Sequence, residues 1–162
     1  MSAMLRTAAI LAWLAAVLSG AAADERWTTY ANDRFGTSLA YPAEIFAMQP
    51  PPGNDDGRTL VAADGAKILV FAGYNVANDT LASKRASLTG DDYARIAYNA
   101  TGKTWFVVSG HRAIGGVDSI FYEKYIVSAA DTIHSLIVTY PATLKARYDP
   151  IVDRVAASFA GP

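Results

Sequence analysis

The chain has no cysteine among its 162 residues. Disulfides, thiolate zinc sites, and thiol catalysis and thiol redox function are therefore excluded. Histidine is almost as scarce, since only His111 and His134 are present, and they do not form the short-spaced histidine pair of zinc-binding motifs. We therefore expect no metal site and no cofactor.

Neither sign of charge is in excess, with 14 Lys and Arg against 15 Asp and Glu. Nucleic-acid binding depends on clustered basic residues that release counterions from the phosphates. The sequence has no such cluster, so we expect no nucleic-acid partner. The same argument applies to an anionic membrane surface.

Acidic residues are grouped in two short stretches, at residues 54–57 and 90–92. Their oxygen atoms could in principle bind calcium, but neither stretch has the alternating acidic spacing of an EF-hand loop. We expect them to be solvated turns. The first belongs to a proline- and glycine-rich segment, residues 49–57, which predicts an exposed loop.

The apolar run at residues 8–18 is too short to cross a bilayer, which requires about 20 residues. Arg6 precedes it, and small residues ending at Ala23 follow it, before an abrupt change to Asp24. This order is typical of a secretory signal peptide, residues 1–23, cleaved between Ala23 and Asp24. The sequence predicts a periplasmic or secreted protein, without a membrane span or lipid anchor in its mature form.

Residues 24–162 have the length of one domain. Extended segments are predicted at residues 27–31, 37–41, 58–63, 67–74, 93–99, 104–109, 119–128 and 132–140. A hairpin turn is expected at Asp64-Gly65, because this dipeptide favours tight turns. The short connections predict an antiparallel sheet of about six to seven strands.

Two helices are predicted. One covers residues 80–88, with Asp79 or Asn78 as N-cap. The other lies in the segment from residue 142, with Asp149 as N-cap and Pro150 at the first helical position. Its apolar side chains would pack on the sheet: Ile151, Val152, Val155 and Phe159. The fold class is therefore α+β, an antiparallel sheet with helices packed mainly on one face.

The segment 133–140 is apolar on both of its faces, which predicts a central strand. His134 lies within it, and no acidic residue shares its face at a nearby spacing. We interpret it as a hydrogen-bonded structural histidine rather than a base or a metal ligand.

Residues 109–118 are predicted to form a glycine-rich hairpin loop that carries Ser109, His111 and Asp118. A hydroxyl, an imidazole and a carboxylate are the groups of a serine hydrolase triad, so a weak hydrolase is the alternative function. The chain has no Gly-x-Ser-x-Gly elbow, and triad residues usually converge from distant segments. We therefore assign no catalytic residue, and expect His111 and Arg112, together with Trp27, to contact a partner.

Several stretches carry a resemblance to a known fold family. They are Trp27, Tyr30 to Gly36 and Tyr41-Pro42 near the start, and Ile137 to Pro141, Tyr148 to Val152 and Ser158-Phe159 at the end. They resemble the Mog1/PsbP-like fold, and in particular its small uncharacterised exported bacterial members. In that fold Mog1 binds a small GTPase and PsbP docks onto photosystem II. The resemblance implies a non-enzymatic partner-binding or accessory protein of the cell envelope, whose partner is an exported or envelope protein.

Overall fold

The computed structural model describes residues 26–162 of the chain. The predicted leader and its cleavage point between Ala23 and Asp24 lie outside the described residues. The strands are β1 (Trp27–Asn32), β2 (Thr37–Pro42), β3 (Phe46–Met48), β4 (Gly57–Ala62), β5 (Lys67–Tyr74), β6 (Ile96–Thr101), β7 (Trp105–Ile114), β8 (Val117–Val127) and β9 (Thr132–Pro141). The helices are α1 (Leu81–Ala86) and α2 (Lys145–Ser158), with 3-10 turns at Asp91–Tyr93 and Ala142–Leu144.

Seven strands form one antiparallel sheet in the order β3-β4-β5-β9-β8-β7-β6. β1 and β2 form a separate antiparallel hairpin. The α+β class and the strand number expected for the sheet are confirmed, and β9 is central, as its two apolar faces indicated. The short strand β3 was not predicted.

The two faces of the sheet bury different clusters, because neighbouring side chains on a strand point to opposite sides. The larger core lies between the sheet, α2 and the β1-β2 hairpin, and includes Leu136, Val138 and Val155. The smaller cluster lies on the other face, where α1 and the 3-10 turn at Asp91–Tyr93 cover β7 and β8; its buried residues are Phe106, Val108, Phe121 and Tyr125.

The hairpin of β7 and β8 differs from its prediction. Residues 109–118 are not a loop, since the two strands stay paired up to Ile114 and Val117. The turn consists only of Gly115 and Gly116, which have φ angles of +57° and +81°. Two consecutive positive φ angles make the tight turn that matches the twist of paired strands, and glycine adopts them without steric cost.

Helix α1 begins at a different cap from the one expected. Thr80 is the N-cap: its hydroxyl accepts a hydrogen bond from the Ser83 amide (3.1 Å), and the Ser83 hydroxyl accepts one from the Thr80 amide (2.9 Å). Asp79 instead accepts a bond from the Ser83 hydroxyl, and Asn78 lies in a turn with a φ of +51°. Two reciprocal bonds at Thr80 satisfy two helix amides, which one carboxylate at Asp79 does not.

Helix α2 begins at Lys145, so Asp149 is not its N-cap and Pro150 lies inside it. The proline removes a single hydrogen bond near the start of the helix, because its nitrogen has no hydrogen to donate to the Ala146 carbonyl. The expected packing face is confirmed: Ile151, Val152, Val155 and Phe159 are buried.

His134 is fully buried and joins three parts of the fold. Its Nδ1 lies 2.8 Å from the Thr37 hydroxyl in β2, and its Nε2 lies 3.0 Å from the Thr132 hydroxyl. Gly161 lies against the ring so closely that a Cβ there would be 2.7 Å from Cδ2. The structural interpretation of His134 is confirmed. Burial lowers the pKa of the imidazole, because the site has no room for a hydrated cation.

Burial of His134 makes stability depend on pH. Unfolded histidine binds a proton below about pH 6.5, whereas the folded ring resists protonation, so stability is lost as the pH falls from 6.5 towards the lowered pKa of the folded state. Urea unfolding at pH 7.5 and 5.5 should show that the wild type loses about 1 kcal/mol more than a His134→Gln variant between these values. Equal losses in the two proteins would contradict this account.

Candidate functional site

The β6 end of the sheet carries two grooves, one on each face. The α2 groove, of about 410 Å³, lies between α2 and the sheet and is lined in part by Tyr98, His111, Tyr122, Lys145, Asp149 and Asp153. The α1 groove, of about 630 Å³, lies under α1 and is lined in part by Leu81, Arg85, Leu88, Ile96, Thr101, Phe106 and Val108. β6 contributes residues to both grooves, so this edge strand lies between them.

Three tyrosines and two aspartates are among the residues that line the α2 groove. The Asp149 carboxylate accepts hydrogen bonds from the Tyr140 hydroxyl (3.0 Å) and from Lys145. Burial and the bond to Asp149 raise the pKa of Tyr140, while burial, with smaller contributions from Tyr98 and Asp153, raises the pKa of Tyr122 to about 12. Both phenols therefore remain protonated at neutral pH. Asp153 is exposed and forms no salt bridge among residues 26–162.

His111 and Asp118 are brought together across the β7-β8 hairpin, with Nδ1 3.2 Å from Oδ2. Asp118 also accepts a bond from Arg95 (3.1 Å). Desolvation alone would raise the pKa of Asp118, but the hydrogen bonds from His111 and Arg95 outweigh it and lower that pKa. The result is an imidazole held in one orientation by a carboxylate.

Ser109 does not complete this pair into a triad. Its hydroxyl donates a 2.7 Å hydrogen bond to the Phe121 carbonyl, and no hydrogen bond joins it to His111 within the described part of the chain. Ser109 and His111 are two residues apart on one strand, so their Cα atoms are separated by about 7 Å. A serine in this position is not activated by the imidazole, because activation requires hydrogen-bond contact.

Arg112 points to the opposite face from His111 and forms part of a buried network. Its Nη1 donates to Oε1 of Glu123 (2.9 Å), while Oε2 accepts bonds from the hydroxyls of Tyr93 (3.1 Å) and Tyr125 (2.7 Å). Glu123 is only 1% exposed. Glu123 was not predicted as a functional residue, although it is the single acidic residue of the segment 119–128 that was predicted as a strand.

Trp27 lies in neither groove. It packs against the larger core, and the Arg154 guanidinium lies 4.1 Å from the centre of its ring. The structure therefore places the three residues expected to contact a partner apart from one another: His111 is in the α2 groove, Arg112 is on the other face of the sheet, and Trp27 is on β1.

The acidic stretches lie in turns. Asp55 forms a salt bridge with Arg58 (2.6 Å), and Asp56 accepts a hydrogen bond from Asn54 (2.7 Å). Asp91 and Asp92 belong to an exposed 3-10 turn. Within residues 26–162, no three His, Asp or Glu side chains come together as metal ligands.

β6 is an edge strand, because no strand among residues 26–162 pairs with the side that faces away from β7. The Gly102 amide donates to the Trp105 carbonyl (2.8 Å), so these two residues form a hydrogen-bonded pair. From this pair, hydrogen-bonded and non-hydrogen-bonded pairs alternate along β6 and β7. By that alternation Tyr98 and Ala100 bond to β7, while the amides and carbonyls of Asn99 and Thr101 point away from it. β6 contains neither a charged residue nor a proline, and five of its six residues are exposed.

No protein-family model and no curated protein matches this sequence. Solved structures do match. The chain is similar to the cyanobacterial PsbP (CyanoP) of Synechocystis sp. PCC 6803, with a TM-score of 0.61 and 11% identity over 88% of this chain and 96% of that one.

It is also similar to the Ran-binding protein Mog1p of Saccharomyces cerevisiae, with a TM-score of 0.59 and 12% identity over 84% of this chain and 95% of that one. LpqN, involved in cell envelope biogenesis of Mycobacterium tuberculosis, gives a TM-score of 0.59 and 11% identity over 84% of this chain and 90% of that one.

These matches extend over nearly the whole described chain, within which no helix is both long and apolar enough to cross a membrane. Sequence identities of this size carry information about the fold alone. The matches identify the fold: the chain has the Mog1/PsbP-like fold.

Proposed function

We propose that this chain is an exported, non-enzymatic accessory protein that binds another exported or envelope protein through the β6 end of its sheet. The observation that carries the proposal is the outer edge of β6, which lies between two grooves and is paired with no strand of the described residues. Edge strands with free backbone groups and apolar neighbours are surfaces on which proteins bind other chains. Ile96 and Tyr98, which are 39% and 56% exposed, add apolar contact area to this edge.

The fold neighbours support a binding role in general terms. Mog1p is a Ran-binding protein, and LpqN is involved in cell envelope biogenesis. Their partners are not transferred to this chain, because the similarity is one of fold. Export is supported by the sequence of residues 1–23, which has the order of a secretory leader.

The arrangement of the polar residues also favours binding over hydrolysis. The Ser109 hydroxyl is bonded to a backbone carbonyl, and Arg112 is bonded to Glu123 inside the protein. His111 and Ser109 both line the α2 groove, but no hydrogen bond joins the Ser109 hydroxyl to the His111-Asp118 pair among residues 26–162. In a binding protein, such a pair supplies an oriented donor or acceptor for a partner.

Crosslinking in the native host tests the binding surface. A photo-crosslinking amino acid at Tyr98 should give a discrete adduct with one exported or envelope protein, detected by affinity purification and mass spectrometry. The matched control is the same amino acid at Met48, which is 40% exposed on β3 at the other edge of the sheet. Only background adducts from Tyr98, or the same adduct from both positions, would count against the proposal.

The intact mass of the protein recovered from the host tests export. We expect a mature chain that begins at Asp24. Signal peptidase requires small residues at Ala21 and Ala23, so an Ala23→Phe substitution should leave the precursor uncleaved. An Ala22→Phe substitution lies between these two positions and should be processed normally. A wild-type protein that retains Met1 to Ala23 would contradict the assignment.

A further inference from the structure

We propose that the segment recognised at β6 is an extended peptide that adds to the sheet as an antiparallel strand, with apolar side chains in the α1 groove and basic side chains towards the α2 groove. The inference rests on the proposed binding function and specifies the chemistry of the partner. Three independent features of this edge support it: its backbone groups, the lining of the α1 groove and the carboxylates of the α2 groove.

The backbone of β6 offers hydrogen-bonding groups to a further strand. Asn99 and Thr101 direct their amides and carbonyls away from β7, where a further strand would bond them. Natural edge strands are usually protected by lysine, proline or very short length. β3, at the opposite edge, is protected by its length of three residues, whereas β6 has neither lysine nor proline. The register shift between Ile96 and Tyr98 limits the regular ladder to Tyr98 through Thr101.

The register determines which groove receives which side chains. Residues directly opposite each other in an antiparallel pair place their side chains on the same face. Asn99 and Thr101 are paired with Val108 and Phe106, which belong to the cluster on the α1 face. The peptide residues that bond to Asn99 and Thr101 therefore point into the α1 groove. Its lining, which includes Leu81, Leu88, Phe106 and Val108, favours apolar side chains at these positions.

The intervening peptide residues point to the opposite face, towards the α2 groove. There Lys145 is bonded to Asp149, and Asp153 has no salt-bridge partner within residues 26–162. A lysine or arginine from the peptide would complement this unpaired carboxylate. A second copy of the chain would not, because Ile96–Thr101 contains no basic residue.

A synthetic peptide tests the geometry directly. The probe is a capped nonapeptide of alternating valine and lysine, with binding followed by fluorescence anisotropy. In an antiparallel addition the valine amides face β6 and the lysine amides face solvent. N-methylation of the valine amides should weaken binding about tenfold or more, because it removes the donors to β6. N-methylation of the lysine amides should leave the affinity nearly unchanged.

Protein variants provide the matched control. Thr101→Pro removes the amide that points away from β7, a change that an edge strand tolerates, and should weaken binding of the peptide. Thr101→Val keeps that amide and should bind as the wild type does. Urea unfolding of both variants checks that they fold. Asp153→Asn should reduce the affinity several-fold at low salt, with a smaller difference at high salt.

Three results would overturn strand addition. The first is binding that neither form of N-methylation affects, and the second is loss of binding with methylated lysine amides only. The third is a dimer, seen by sedimentation of the free protein, that Thr101→Pro dissociates, because a second copy would then occupy the edge. If the Tyr98 adduct forms in the host while the peptide test fails, binding at this surface stands and only the strand geometry is wrong.

Discussion

The central strand β9 is the constraint on which the rest of the structure depends. It is hydrogen-bonded on both edges, to β5 and β8, so it holds the two halves of the sheet together. Leu136 and Val138 form the floor on which α2 packs, and His134 bonds to the β1-β2 hairpin through Thr37. An imidazolium ion in this position would have no contact with water, so protonation of His134 favours the unfolded chain. The strand order built outwards from β9 places β3 and β6 at the two edges of the sheet.

Much of the fold could be predicted because strand alternation and turn chemistry are local properties of the sequence. Asp64-Gly65 correctly marked the β4-β5 hairpin, and the apolar spacing of Ile151, Val155 and Phe159 correctly marked the packing face of α2. Two local signals led to wrong predictions. The Gly115-Gly116 pair indicated a long loop where it makes a two-residue turn, and Pro150 indicated a helix start where the preceding turns had already begun the helix.

The candidate site was less accessible to prediction, because it depends on register and on strand order. Whether His111 meets Asp118 is decided by the pairing of β7 with β8, and that pairing also places Arg112 on the other face. The exposure of β6 depends on its position at the end of the order β3-β4-β5-β9-β8-β7-β6, which no local pattern encodes. Glu123 stands out locally as an acidic residue in an apolar segment, but its partners Tyr93 and Arg112 come from other elements and could not be predicted.

The network around Glu123 restricts which substitutions its members can accept. A buried carboxylate that loses its guanidinium partner leaves an uncompensated charge. Replacing both groups by apolar residues of similar volume avoids that charge, but the hydroxyls of Tyr93 and Tyr125 then lose their shared acceptor. A change of Arg112 alone is therefore expected to cost more stability than a change of Arg112 and Glu123 together. Since Arg112 also packs over Phe121, with its guanidinium 4.8 Å from the ring centre, a paired replacement must refill the space above that ring.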